Sequence, residues 1–403
     1  MAWAESSSGR NQDRPSALAA LLLEKWAWGE LSVPALQAIA RAGIVDGIKS
    51  KDLEELAATS SAKKLQDKLP VTPISRALSV MPCYMKRVKG GIVHTNQAML
   101  LPHELFAGLW EFDKSIFVNK LCGGDEANIE KFWKSMSNHP AYLDEDNPLH
   151  LRRNHIKKCI PLSLHGDGVT VIAISKSWSK SVDALSWSSI LSTGSTLTSC
   201  FLIYIMYWKL VLQAPGQNMW QGFSKKLAWS FYWLFIGKWP HRDHNNVPYP
   251  PDSVEGRRAA KNEDLAGGFY GCLWLLKGDL EYMYHAWGLA FIGAADRCNC
   301  CKGNTSDIPW TDHRQVALWR PTVWTKAAWE DAHPDRHVLF KDLPGLSILN
   351  YIPDVMHCLH LGVHQYFLGS ILSFLVHTVM ANTAAKNLDT IWTEIRASYT
   401  ASS

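Results

Sequence analysis

The chain has 403 residues, 47% hydrophobic and 19% charged, which is enough for two or three domains with packed cores and too apolar for wholesale disorder. Its 41 basic and 37 acidic residues leave a net charge of +4, too even a balance to argue for nucleic acid from charge alone. Nine cysteines, odd in number and mostly dispersed, argue against a disulfide framework and for a reduced, intracellular chain; Met1–Pro15 also lacks the apolar run of a secretory signal.

In chain order, residues 1–15 are expected to form a disordered tail and residues 16–69 a helical N-terminal region. Leu18, Leu21, Leu22 and Trp26 recur at helical spacing, Val33-Pro34 restarts a helix through Leu36, Ile39 and Ala40, and Asp52–Ala62 is a third short piece. A small helical bundle explains this better than a DNA reader, because no basic recognition helix stands out. Residues 70–156 read as a mixed, mostly helical pre-core region, with helices opening at Pro102 and at Ala127 and a turn-rich loop over Asn138–Asn147. Arg152, Arg153, Lys157 and Lys158 cluster just before an apolar run; a solvated face is favoured there over phosphate contact.

Residues 157–403 carry a different pattern. PLSLHGDGVTVIAI reads as a strand or a tight strand pair with Asp167 in the middle, and 185–191 and 199–207 as two more strands. The apolar run Leu197–Leu212 is too short for a membrane span, which needs about 20 residues, and Lys209 interrupts it; it reads as a strand running into a helix. An aromatic helix follows over 222–239, then a strand over 268–278 that gives way to a helix at Asp279, with Tyr282, His285, Ala286 and Leu289 on one face. Three strands, a helix, then a strand and a helix is the order of an RNase H-like α/β core.

Three groups in this region could carry chemistry. Carboxylates on neighbouring strands can share divalent cations, and Mg²⁺ needs only a few of them alongside water and phosphate oxygens. Asp167 and Asp279 are candidates, although by position alone the first is a turn residue and the second a helix cap. Cys298 and Cys301 form a C-x₂-C pair that supplies two of the four ligands of a tetrahedral Zn²⁺. Asp354 and His357 form a D-x₂-H, with His357, His360 and His364 at helical spacing and Asp354 a candidate cap for a helix through Leu361, Tyr366 and Leu368.

The order of these landmarks, an Asp in LHGDGV, an Asp in KGDLEY, a C-x₂-C and the D-x₂-H of PDVMHCLHLGV, resembles the CACTA-type (En/Spm-like, Plavaka-like) DDE/D transposases over roughly residues 97–380. The resemblance implies an RNase H-like catalytic core with a Cys/His insertion, DNA cleavage and strand transfer, and a nuclear location with DNA as partner; self-association is compatible with it. It implies Mg²⁺ or Mn²⁺ at Asp167 and Asp279, the first and second catalytic carboxylates. It also implies a structural Zn²⁺ at Cys298 and Cys301, with His357 in the D-x₂-H. The family's last carboxylate lies on a later helix. After His357 only Asp389 and Glu394 remain, so the sequence predicts a truncated core without its third acid. The other expectation is a non-enzymatic, zinc-stabilised DNA- or protein-binding module.

Overall fold

The computed structural model describes residues 16–27, 31–59, 61, 64–65, 78–87, 90–145, 147–152, 154–172, 180–206, 210–212, 219–291, 293–296, 298–334, 343–354, 359 and 363–402. The chain divides into two units, residues 1–75 and 76–403. Residues 76–156, expected as a pre-core region, belong to the second unit.

The first unit contains helices α1 (Ala17–Ala27), α2 (Val33–Val45) and α3 (Lys51–Ala58). Ser32 caps α2 by accepting from the Ala35 amide, and Ser50 caps α3 by accepting from the Leu53 amide. Ala19, Leu22, Leu36, Ala40, Leu53 and Leu56 form its buried core, flanked by Leu18 and Trp26. Of the residues picked out by helical spacing, Leu22, Leu36 and Ala40 lie in this core and Leu18 and Trp26 pack against it, whereas Leu21 and Ile39 are exposed.

The second unit is mixed α/β. It begins with a hairpin of β1 (Ser79–Lys86) and β2 (Ile92–Met99), which the sequence reading missed. Both strands are largely half-exposed and β2 carries a polar HTNQ stretch, so no apolar alternation marks them. Helices α4 (Pro102–Phe112), α5 (Lys114–Cys122) and α6 (Ala127–Ser135) follow, and the expected loop after them contains a short helical turn at Pro140–Leu143. A five-stranded sheet then forms from β3 (Cys159–Ile172), β4 (Lys180–Ser189), β5 (Phe201–Met206), β6 (Tyr270–Gly278) and β7 (Tyr351–Pro353). Its spatial order is β5-β4-β3-β6-β7. The first three strands form an antiparallel meander, and β6 and β7 run parallel to β3.

Of the expected strand-then-helix over Leu197–Leu212, the strand is present at Phe201–Met206 after a helical turn at Thr196–Ser199, and residues 207–209, where it was to run into a helix, lie outside the described residues. No described helix is long and apolar enough to cross a membrane. The aromatic helix α7 (Met219–Ile236) packs on β6 and α4, burying Phe223, Leu227, Phe231 and Leu234. The longer helices that follow are α8 (Val254–Lys261), α9 (Leu280–Trp287), α10 (Lys326–Ala332), α11 (His364–Phe374) and α12 (Ala384–Ser402). On α9 the buried face is Tyr282, Met283, Ala286 and Trp287; His285, expected on that face, is exposed.

The pairing of β3 with β6 contains one irregularity. Cys159 pairs with Tyr270 and Leu162 with Leu273, but Ser163 pairs with Leu275, so Trp274 is an extra residue in β6. Its indole meets Trp133 edge-on at 5.1 Å, and Trp133 donates its indole N–H to the Cys159 carbonyl at 2.7 Å. An aromatic cluster thus ties the amino-terminal part of β3 to that of β6. Beyond the extra residue the ladder is regular through Gly166 and Gly278.

Candidate functional site

Three acids follow from this register. Gly278 pairs with Gly166 on one side and with Pro353 on the other. Asp167, Asp279 and Asp354 are each the next residue, so they stand side by side where the parallel pairing stops: Asp279 and Asp354 follow the carboxyl ends of β6 and β7, and Asp167 lies within β3, which runs on to Ile172. All three are half-buried. The Asp354 amide donates to the Gly278 carbonyl at 3.2 Å, which extends the β6–β7 ladder to the acid itself. Asp279 caps α9, its Oδ1 accepting from the Tyr282 amide at 2.5 Å. Its position as a helix cap is thus compatible with a second role, because a carboxylate has two oxygens.

Sequence reasoning missed the surroundings. His165 lies two residues before Asp167, on the same face of β3, and pairs with Lys277 of β6. Burial holds the His165 imidazole below its ordinary value, against the pull of Asp167, Asp354 and Asp279; Lys277 reinforces the burial. Period-two spacing in LHGD was a usable signal for it. On the other face Gly166 and Gly168 leave room. The Tyr282 ring lies over Gly166, where any Cβ would overlap it, and an Asp183 carboxylate oxygen lies near Gly168. Tyr282 is 6% exposed, and its hydroxyl is buried with no hydrogen-bond partner among the described residues. Burial raises its pKa, and the charges of Asp183, Asp167 and Asp279 add to the rise.

Asp183 of β4 is the acid with the clearest perturbation. Burial pushes its carboxyl up to about 6; His285 opposes the shift, and Asp167 and Asp279 reinforce it. The folded protein therefore holds this proton more tightly than the unfolded chain does. The stabilisation is full below about pH 4 and declines as pH rises through about 6. A shift of about 2 units is worth about 3 kcal/mol unscreened, and solvent at this half-exposed group reduces that to about 1 kcal/mol. Asp183→Asn is expected to stabilise the metal-free protein by about that amount at pH 7 and to flatten its stability between pH 4 and 7, measured by urea unfolding.

The metal expectations divide. Among the described residues no three His, Cys, Asp or Glu side chains are grouped as a ready metal cage. For Mg²⁺ or Mn²⁺ the residues nevertheless fit in kind: carboxylates at neighbouring strand positions, with water able to complete the shell. For Zn²⁺ the described residues supply thiols. Cys298, Cys300 and Cys301 meet through their thiols, with Cys298 favoured as the thiolate because the Cys300 and Cys301 thiols donate to it. Cys298 and Cys301 border a cavity of about 890 Å³ with Trp324, Trp329 and His333, and among the described residues no His, Cys, Asp or Glu set able to hold a metal is grouped there. His357 and His360 lie outside the described residues, as does the expected helix start after Asp354.

Arg152 and Lys158 of the basic cluster are tied into the fold, while Lys157 is exposed. Arg152 donates to the Phe235 and Ile236 carbonyls at the end of α7 and stacks 4.0 Å from the Tyr270 ring. Lys158 lies 3.6 Å over Phe269 and bonds Glu126. These groups precede β3, and about 25 Å of strand separates them from Asp167. At the other end of the unit, Asp389 and Glu394 are exposed on α12, which is fastened to the preceding turn by the buried Asn387 amide donating to the Val376 carbonyl. No known family model matches the chain, and no curated protein is a significant match.

Proposed function

We propose that residues 76–403 hold an RNase H-like core of transposase type, which cleaves DNA phosphodiester bonds with divalent cations at Asp167 and Asp279. The observation that carries the reading is the register of β3 against β6, which sets the two acids level on adjacent strands where their pairing stops. The antiparallel meander β3-β4-β5, followed by β6 and β7 parallel to β3, supports the fold assignment and suits the order of motifs in the sequence. When bound, the cations would activate water and stabilise the leaving oxygen. The protein's own part is to fix two carboxylates through strand pairing and the α9 cap, and to hold His165 largely neutral beside them. A neutral imidazole there can accept the proton lost by an attacking water. DNA as partner, a nuclear location and strand transfer belong to this reading. The assay is cleavage of duplex DNA carrying the element's terminal repeats, with and without Mg²⁺ or Mn²⁺. Cleavage that survives both Asp167→Asn and Asp279→Asn removes the assignment.

A second reading is a non-enzymatic module stabilised by zinc, favoured by the convergence of the Cys298, Cys300 and Cys301 thiols. It calls for one zinc per chain by elemental analysis, lost in Cys298→Ser, with no cation-dependent cleavage.

A further inference from the structure

The five-stranded sheet has one closed face and one that opens toward the end bearing the acids. On the face shared by Gly166 and Gly271, Tyr282 of α9 and Leu234 of α7 fill the space where side chains would stand. The opposite face is covered near the start of β6, where Gly345 approaches the Cys272 thiol, and opens beyond it. One cross-strand row on that face passes through all five strands: Leu202, Ser186, His165, Lys277 and Ile352 are successive register partners. Leu202 and Ile352 are exposed, and the three residues between them are half-buried. Asp167 and Asp279 follow in the next row on the same face, two residues further along β3 and β6. We propose that Lys277 is a substrate-binding residue, whose ammonium takes a phosphate oxygen of the DNA strand laid across this row. This rests on the reading of Asp167 and Asp279 given above and adds to it the group that meets the strand.

The argument from charge is direct. A phosphodiester brought to Asp167 and Asp279 has the same sign as both, and Asp354 stands beside them. The protein must offset that repulsion on the face where the acids stand. Among the described residues of these two rows, Lys277 is the one lysine or arginine. It lies two residues before Asp279, about 7 Å along the strand, within reach of a phosphate at the acids. Its ammonium forms no ion pair with another described residue. A half-buried ammonium that no carboxylate has taken keeps its attraction for a phosphate, and salt screens it less than a fully solvated one. Arg152 and Lys158 do not serve, because their side chains are committed at the other end of β3. The neighbours in the row suit the same occupant. The Ser186 hydroxyl and the His165 imidazole can bond phosphate or sugar oxygens, and Leu202 and Ile352 bring no competing charge. A contact of this kind positions the strand without reading its sequence.

The test is binding of a short random-sequence DNA duplex to the full-length chain, in EDTA so that nothing is cleaved, by fluorescence anisotropy between about 50 and 200 mM salt. Lys277→Gln is expected to weaken binding about fivefold and to lower the slope of log affinity against log salt by about 1, while Lys277→Arg keeps both. Lys157→Gln, exposed before β3, is expected to leave the slope unchanged. Wild-type affinity and slope in Lys277→Gln, with cation-dependent cleavage still lost in Asp167→Asn, overturns the role of Lys277 and leaves the two-acid site standing. A lower melting temperature in Lys277→Gln with the wild-type salt slope makes Lys277 a packing residue and also overturns it. A slope that falls in Lys157→Gln and not in Lys277→Gln moves the contact to the other end of the sheet, and no DNA binding by the wild-type chain removes the contact altogether. Cleavage indifferent to both Asp167→Asn and Asp279→Asn overturns the inference together with the reading beneath it.

Discussion

Asp167→Asn is expected to reduce cation-dependent DNA cleavage about 10³-fold, equivalent to about 4 kcal/mol of transition-state stabilisation. The side chain keeps its shape and loses its charge, so the fold should persist and the melting temperature should change little. Asp279→Asn is expected to have a similar effect on cleavage, again with little loss of stability, because Asn caps a helix about as well as Asp. Asp279→Ala separates the two roles of that residue. It should lose cleavage to the same extent and also about 1 kcal/mol of stability, since the Tyr282 amide then has no side-chain acceptor. Cleavage rates measured beside urea unfolding curves resolve the two effects. An Asp279→Asn protein that unfolds early, or an Asp167→Asn protein that cleaves at the wild-type rate, contradicts this account.

Gly166→Ala is expected to destabilise residues 76–403 by about 3 kcal/mol or more, an overpacking cost at a position with no room to relax. The new Cβ would overlap the Tyr282 ring and hydroxyl. The ring is fixed by its place on the buried face of α9, and Gly166 by its pairing with Gly278. Relief therefore requires a shift of α9 or of the strand end that bears Asp167. Tyr282→Ala in the same chain should recover part of the loss, giving a coupling of at least about 1 kcal/mol in a double-mutant cycle. Gly168→Ala provides the contrast, because the nearest atom to its Cβ would be an Asp183 carboxylate oxygen at 4.0 Å. An additive cycle would mean that the two residues do not share the space assigned to them.

The parts of this chain legible in its sequence are those whose pattern is local. The helices at Ala17–Ala27, Pro102–Phe112 and Ala127–Ser135, the three strands of the meander and the strand ending at Gly278 all announce themselves by periodicity or by caps. The β1–β2 hairpin did not, because half-exposed strands with polar residues on both faces carry no periodic signal. The candidate site divides in the same way. Asp167 and Asp279 were found through the order of motifs, whereas strand spacing alone made them a turn and a cap. Asp183, Tyr282 and Lys277 join the neighbourhood only through cross-strand register and the packing of α9, and both are set by residues distant in the chain. Asp354 was visible as half of a D-x₂-H, but its position beside Gly278 depends on β7, a strand of three residues that no propensity would mark.

The extra residue at Trp274 acts as a phase setting for the whole site. Before it, β3 and β6 pair at an offset of 111 positions, and after it at 112, which is the separation of Asp167 and Asp279. Had the first offset persisted, Asp279 would come level with Gly168 instead of Asp167, and a strand shifted by one residue turns every following side chain to the opposite face. The alignment of the two acids is thus decided several residues upstream, where Trp274 is braced against Trp133. Selection on such a site acts on the length of β6 as well as on the identity of its acids. A single-codon deletion in that strand would leave both aspartates in the gene and still part them in space.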